Sequence, residues 1–427
     1  MSVASLWAAT AVPAPDCPAL DGDATADVAI VGAGFTGLSA ALHIAGDGRR
    51  PIVLDAHTVG FGASGRNGGL ASGKFRVSFQ QVMAQHGRAA AHRLHALGQE
   101  AVDCVEGLID RYSLPAVGFS RCGYLTAAHT PQAMAYLRSA AEWLSTEVGD
   151  QATHLLDREA TARELGTRQY FGGSLNTRAA ALHPLNYVRG LAGAAHGLGV
   201  AIHEQTPVTA VRRERTGFRV ETPTGTVQAR QVIFTTNAYS DLTGATAALR
   251  RRVIPFRSAI IATAPLGAEL GASVLPTGRV VADTKRLLRW YRKAGDRFIF
   301  GGRGAFGRAD SEASFATLER QMKELFPQLS DQPLEFRWSG LVAMTMDFAP
   351  HVGSLEPGLF HAVGFNGSGV AITSLMGKAL AAVTRGEAPD LSIIGRAPFP
   401  AIPFYPLVTP GVRLATAWHQ ALDALGR

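Results

Sequence analysis

The stretch ADVAIVGAGFTGLSAALHIAGDGRRPIVLDA, residues 26–56, constrains the fold more than any other. Val28 to Val31 is a short apolar run, Gly37 to Ala45 a helical run of small and apolar residues, and Ile52 to Leu54 a second strand. This is a βαβ unit, and its first turn, GAGFTG, is a G-x-G-x-x-G from Gly32 to Gly37. Gly32 permits the tight turn, Gly34 lets the backbone approach a pyrophosphate, and Gly37 lets helix and strand pack closely. Phe35 and Thr36 open the helix, whose N–H groups and positive dipole end face an anion. Asp55 closes the second strand 18 residues after Gly37, followed by Ala56, where a carboxylate accepts from a ribose hydroxyl. The unit predicts a Rossmann-type sheet and a dinucleotide. It does not choose between NAD and FAD.

A second stretch bears on that choice. GFGASGRNGG, Gly60 to Gly69, has five glycines in ten residues. It stands where an FAD extends beyond its pyrophosphate toward the isoalloxazine. Ala63, Ser64, Asn67, Gly68 and Gly69 there allow close backbone approach, and Arg66 offers charge against the pyrophosphate. Flexibility alone is the competing explanation for such glycines. Another G-x-G-x-x-G, Gly302 to Gly307, follows the strand Arg297–Phe300. It would make an NAD(P)H site, but its strand belongs to a hairpin turning at Ala294–Gly295–Asp296, and the next helix starts near Ser311. Gly307 therefore does not open a helix, and the motif lacks the context it needs.

Between these landmarks the pattern changes. Phe79 to Leu114 has long helical periodicity, Pro131 to Val148 is a further helix, and Asp157 caps a short one. A helix over Pro184–His196 leads to strands at Val200–His203 and Val208–Val211, then a hairpin turning at Thr224–Gly225. Strands dominate Val253 to Phe300, Ala313 to Leu325 is helical, and the chain returns to short strands and a helix over Gly369–Arg385. With 427 residues, two domains are expected. The expected division is 1–75, 171–240 and 336–427 for the nucleotide domain, and 76–170 and 241–335 for a second domain.

Composition excludes several functions. No apolar run approaches the roughly 18–20 residues of a spanning helix. The lead-in MSVASLWAATAVPAPDCPAL lacks a basic segment ahead of an apolar core, so it does not read as a signal peptide, and its prolines predict an extended path. Cys17, Cys104 and Cys122 are odd in number and form no C-x-x-C, which predicts no disulfide framework, no metal site and a cytoplasmic protein. The formal net charge of +7 admits peripheral contact with an acidic membrane surface. The basic residues are scattered, without the clustered face of a nucleic-acid binder.

ADVAIVGAGFTGLSAALHIA, GFGASGRNGG and GFNGSGVAITSLMGKALA at 364–381 together resemble the FAD-dependent amine and amino-acid oxidoreductases, the D-amino-acid oxidase and glycine oxidase superfamily. Within it, the chain most resembles the γ-glutamylputrescine oxidase and pipecolate oxidase branch, over nearly its whole length. The resemblance implies an α/β fold: a split, glutathione-reductase-like FAD domain with an interleaved substrate domain of antiparallel sheet and helices. It implies FAD contacts from Val208, from Thr236 and Asn237 in TTNAYS, and from Gly364, Asn366, Gly367, Ser368, Gly369 and Val370. Asn237 stands where relatives often have glycine. A helix opening at Gly369 would stabilise negative charge developing at the flavin N1–C2=O locus. The FAD is expected to be non-covalent: relatives that link through cysteine do so in the C-terminal third, those that link through histidine near the small-residue loop, and neither residue occurs there.

The implied reaction is oxidation of a C–N bond of an amine or cyclic imino acid, by hydride transfer to flavin N5 and hydrolysis of the imine, with oxygen or a quinone as electron acceptor. Amino-acid oxidases of the family carry an arginine after the Gly-Leu of RWSGLVAMTM to grip the carboxylate; this chain has Val342. A D-amino-acid dehydrogenase or oxidase is thereby the second reading. An NAD(P)H-dependent hydroxylase or reductase, resting on Gly302–Gly307, and a flavin-binding protein without turnover complete the set. Candidate pocket residues are Arg303, Tyr239 and Tyr291, with His351 placed to tune the flavin. Arg257, Arg289, Arg292 and Trp290 are further candidates.

Overall fold

The computed structural model describes residues 5–286, 288–303, 312–395, 399–408 and 410–411. Two sheets of eight strands organise the chain. In the first, Ala24–Val31 lies centrally, parallel to Pro51–Leu54 on one side and Gly225–Phe234 on the other. Ala201–His203 and Leu359–Val363 extend this parallel core outward. His351–Glu356 and the meander Ala210–Glu214, Gly217–Thr222 add antiparallel strands. The central strand is buried on both faces from Val28 to Val31, as its unbroken apolar run requires.

The helices Phe35–Gly46 and Gly369–Thr384 cross closely on this sheet. A Cβ on Gly377 would lie 2.6 Å from both Ser39 Cβ and the Thr36 carbonyl, so only glycine permits the crossing. Ser39 Oγ donates to the Ser374 carbonyl at 2.6 Å, and the Tyr187 hydroxyl bonds Ser374 Oγ at 2.9 Å. Helices at 35 and at 369 therefore start side by side.

The second sheet runs Leu334–Met344, Ile254–Thr263, Arg297–Arg303, Trp290–Ala294, Val280–Asp283, Tyr124–Ala127, Gly173–Asn176, Thr153–Leu156. It is antiparallel except where Val280–Asp283 pairs parallel with Tyr124–Ala127, the one departure from a purely antiparallel expectation. The strands at 173–176 and 334–344 belong to this sheet, on the far side of the expected edges at 171 and 336.

Local expectations are corrected in three places. The lead-in is not wholly extended: Ser5 caps a short helix, Leu6–Thr10, that buries Leu6 and Trp7. The periodicity from 79 to 114 resolves into two helices, Phe79–His86 and Arg88–Arg111, because Gly87 takes φ +86 between them. The strand expected at Val208 begins at Ala210, leaving Val208 buried ahead of it.

Candidate active site

A first cavity, about 200 Å³, runs along the carboxyl ends of the parallel strands. Of the predicted residues, Gly32, Gly34, Phe35, Thr36, Asp55, Ala56, Ala63, Ser64, Asn67, Val208, Thr236, Asn237, Gly367, Gly369 and Val370 line it. Gly32 has φ +112 in the tight turn. A Cβ on Gly34 would come 2.8 Å from Ser64 Oγ, and one on Gly37 would fall 2.0 Å from the Gly32 carbonyl oxygen. Gly37 thus lines nothing and serves the close packing of turn and helix. Asp55 accepts from the backbone N–H of Ala33 at 2.7 Å and of His57 at 2.8 Å. Burial raises its carboxyl above the ordinary carboxylate value despite those bonds.

The glycine-rich loop is braced, which answers the flexibility alternative. Three successive carbonyls each accept from a distant side chain. Trp338 Nε1 donates to Arg66 O at 2.9 Å, Trp7 Nε1 to Asn67 O at 2.8 Å, and Arg292 Nε to Gly68 O at 2.7 Å. Asn67 bonds inward to the carbonyls of Ala63 and Ser64 and accepts from Gly69 N–H. Neither Trp7 nor Trp338 was identifiable from sequence, because such donors have no spacing signature. The short cap-and-helix signal SLWAAT is the only trace of Trp7.

A second cavity, about 550 Å³, lies between this loop and the face of the second sheet. The two cavities share Ala63, Asn67, Val342, Gly367 and Val370. Residues of both glycine-rich motifs, together with Val342, thus form the junction. Arg66, Gly68 and Ser368 line the second cavity and not the first, so Arg66 does not face the pyrophosphate position expected of it. Its Nε instead donates to Phe61 O at 2.8 Å.

Several candidates lie elsewhere. Gly69, Gly364 and Asn366 line neither cavity. Asn366, buried at φ +54, accepts from Thr345 N–H at 2.9 Å and shapes the loop from within. Gly364 N–H donates to Asn237 Oδ1 at 2.9 Å, tying the two segments together. Asn237 holds φ +46, a left-handed conformation asparagine tolerates, and adds a side chain that glycine would lack.

Tyr291 is not a pocket residue. It is fully buried, stacked on Phe300, with its hydroxyl donating to Tyr170 at 3.1 Å. Trp290 lines the second cavity, and adjacent strand residues face opposite sides. His351 also lies outside both cavities: its Nε2 bonds Asp347 at 3.0 Å and its ring stacks on Phe399 at 4.0 Å. Tyr239 lines the first cavity, not the second, and burial raises its hydroxyl pKa. Arg289 is committed to Asp283 at 2.5 Å, and Arg292 to Gly68 and Leu182. Arg303 ends the strand Arg297–Arg303, and its side chain lies outside what is described, as do Gly304–Gly307 of the second glycine motif.

The first cavity fits the nucleotide end of an FAD. Gly34 leaves the space a pyrophosphate needs, the start of helix Phe35–Gly46 lines that space, and the Asp55 carboxylate borders it. Among the described residues no group of His, Cys, Asp and Glu forms a metal cluster, and no helix is long and apolar enough to cross a membrane.

The model of the DAO family, FAD dependent oxidoreductase, matches residues 27–383. The chain is 35% identical to the probable oxidoreductase OrdL of Haemophilus influenzae over 88% of this chain and 87% of that protein. It is 31% identical to γ-glutamylputrescine oxidoreductase of Escherichia coli, over 99% and 98% of the two chains. Its fold matches glycine oxidase from Geobacillus kaustophilus with a TM-score of 0.74 at 20% identity, covering 89% of this chain and 99% of that one. A turn built for a pyrophosphate, a braced loop beyond it and a helix start at the far end agree with these likenesses, and the chain belongs to the DAO family of FAD-dependent oxidoreductases.

Proposed function

We propose that the protein oxidises a C–N bond of an amine or cyclic imino acid, with FAD held non-covalently in the first cavity and the substrate in the second. The observation that carries this reading is the junction of the two cavities at Ala63, Asn67, Val342, Gly367 and Val370. Atoms of a ligand in one cavity can meet those of a ligand in the other only there. FAD bound in this way supplies acceptance of a hydride at N5, and the imine left behind is hydrolysed.

The chain's own residues bind and orient. Gly32, Gly34, Phe35, Thr36 and Asp55 hold the nucleotide end, and Gly367, Gly369 and Val370 face the reacting end. The apolar Val342 excludes water at the junction and leaves no arginine there to grip an α-carboxylate. That favours an amine or imino acid over a D-amino acid. Likeness to a γ-glutamylputrescine oxidoreductase supports the same choice. Non-covalent attachment rests on the cavity walls: no cysteine lines either cavity, and His57, which lines the first, sits beside Asp55 at the ribose end.

The division into two units follows sheet membership, with 173–176 and 334–344 assigned to the substrate unit. A cytoplasmic location and oxygen or a quinone as acceptor complete the proposal.

The test is anaerobic addition of γ-glutamylputrescine, pipecolate, proline, sarcosine, D-amino acids and short polyamines to the purified flavoprotein. Bleaching of the flavin by an amine or imino acid is expected. Bleaching by D-amino acids alone would replace this reading with the amino-acid oxidase one. Bleaching by NADPH would favour a hydroxylase or reductase, whose support is Gly302–Gly307.

A further inference from the structure

The second cavity carries positive charge that the protein leaves uncompensated. Lys74 and Arg76 follow the braced loop and line it. Both are surrounded by protein yet exposed, because they face the open cavity. Lys74 Nζ makes one long hydrogen bond, to Thr126 Oγ1 at 3.4 Å, and lies 5.4 Å from the Tyr124 ring centroid. Among the described residues no carboxylate pairs with Lys74 or Arg76. Asp283, the carboxylate that lines the same cavity, is already bound to Arg289 at 2.5 Å.

The position of Lys74 is fixed by backbone packing. A Cβ on Gly73 would fall 2.1 Å from the Gly98 carbonyl oxygen, so this segment sits directly on the helix Arg88–Arg111. Lys74 also stands at a boundary. It lines a third cavity of about 220 Å³ as well as the second, and Tyr124 and Thr126 are shared likewise. Two neighbouring cations that face one cavity without counter-ions repel each other, and an arriving anion offsets that repulsion. Burial lowers Lys74 to about 8, the direction expected of an ammonium without an ion-pair partner.

We propose that Lys74, assisted by Arg76, is the specificity-determining site for a carboxylate at the far end of an elongated amine substrate, whose reacting nitrogen lies at the flavin junction. The amine part of this inference rests on the function proposed above; the anion site does not. A plain polyamine would place a second ammonium against Lys74 and is disfavoured. An amine carrying a carboxylate several bonds away is matched in charge at both ends. The carboxylate is gripped away from Val342, on the side of Tyr124 and Thr126, so loss of the family's arginine does not mean loss of anion recognition.

The test separates the anion site from the chemistry. Glutarate and its neutral counterpart glutaramide are titrated into the oxidised holoenzyme by calorimetry, for the native protein and for Lys74→Met and Lys74→Arg. Glutarate is expected to bind at least about tenfold tighter than glutaramide to the native protein, a preference of about 1.4 kcal/mol. Lys74→Met should abolish the preference, and Lys74→Arg should retain most of it. Lys74→Met should keep its flavin and melt no lower than the native protein, because it removes one of two cations that repel each other; a merely structural lysine would lower the melting temperature. Equal binding of the two probes to the native protein, or an undiminished preference in Lys74→Met, overturns the proposal. In a second arm, ω-amino acids and their carboxamides are compared as reductants of the flavin, and the acids should show the lower KM. If no amine reduces the flavin while glutarate binding still depends on Lys74, the amine chemistry fails and the anion site stands.

Discussion

The two cavities are built by different means. The first is walled largely by backbone, glycine and short side chains, and its polar groups are satisfied internally: Asp55 accepts from Ala33 and His57, and Ser64 accepts from Phe35 N–H at 3.0 Å. The second is walled by side chains of the second sheet and of the segments that follow the glycine-rich loop, and Lys74 and Arg76 face it without a carboxylate partner among the described residues. A wall of backbone fixes shape and suits a ligand that never changes. A wall of side chains fixes charge and can be altered one residue at a time. On the proposed function, the first cavity would hold the cofactor that the whole family uses, and the second would set the choice of substrate.

The comparison breaks most readily at the first cavity. Gly37→Ala would force a Cβ to within 2.0 Å of the Gly32 carbonyl oxygen, a backbone atom that cannot step aside without opening the turn. We expect a loss of about 2 kcal/mol or more in stability and a flavin-poor protein. Flavin absorbance per chain and thermal unfolding measure both. A flavin-replete Gly37→Ala protein of native stability would show that the turn tolerates what its geometry forbids, and the description of a rigid backbone wall would fall.

The brace behind the loop is the next point of attack, through pH. His183 accepts Asn186 N–H at 3.1 Å as the cap of helix Pro184–Gly197, and bonds Thr10 Oγ1 at 3.0 Å. Burial, and then the Arg292 cation, push its pKa from 6.5 down to about 4. His361 falls to about 4 through burial as well. The unfolded chain takes up protons at these sites below about pH 6.5, and the native protein does so only near 4. Stability is thus intact above pH 6.5 and is lost as pH falls from there toward 4. His183→Asn keeps a capping acceptor but no longer titrates. Its melting temperature should fall less between pH 7 and 5 than that of the native protein; parallel falls would remove His183 from the acid response.

How much of this was legible in the sequence follows the same division. The turn, Asp55 and the loop were readable because backbone demands leave glycine and small residues at fixed spacings. The second cavity was not, because its residues come from 63–78, 124–137, 256–260, 283–302 and 340–370, and no local pattern announces that they meet. Lys74 read as one more basic residue in a chain of scattered ones. The braces Trp7, Trp338 and Arg292 were missed for the same reason, each lying tens to hundreds of residues from the carbonyl it holds.

The misreading of Tyr291 is the instructive case, and it yields the smallest expected effect. Trp290 and Tyr291 looked alike as aromatic pocket residues, but one strand cannot turn consecutive side chains to the same face. Trp290 lines the second cavity and packs over Gly68 and Gly301; Tyr291 packs among Phe298, Phe300 and Phe326 on the other side of the sheet. Tyr291→Phe deletes one hydroxyl and its bond to Tyr170, a cost of about 1 kcal/mol in stability. The rate of flavin reduction should change by less than about twofold, under 0.5 kcal/mol in the barrier. Trp290→Leu, one residue away, should instead raise KM by about tenfold or change substrate preference, because it reshapes the cavity itself. If Tyr291→Phe slowed reduction as strongly as Trp290→Leu, the two faces of the sheet would not be separate in function, and the substrate cavity would have to extend into what is now the core of the second unit.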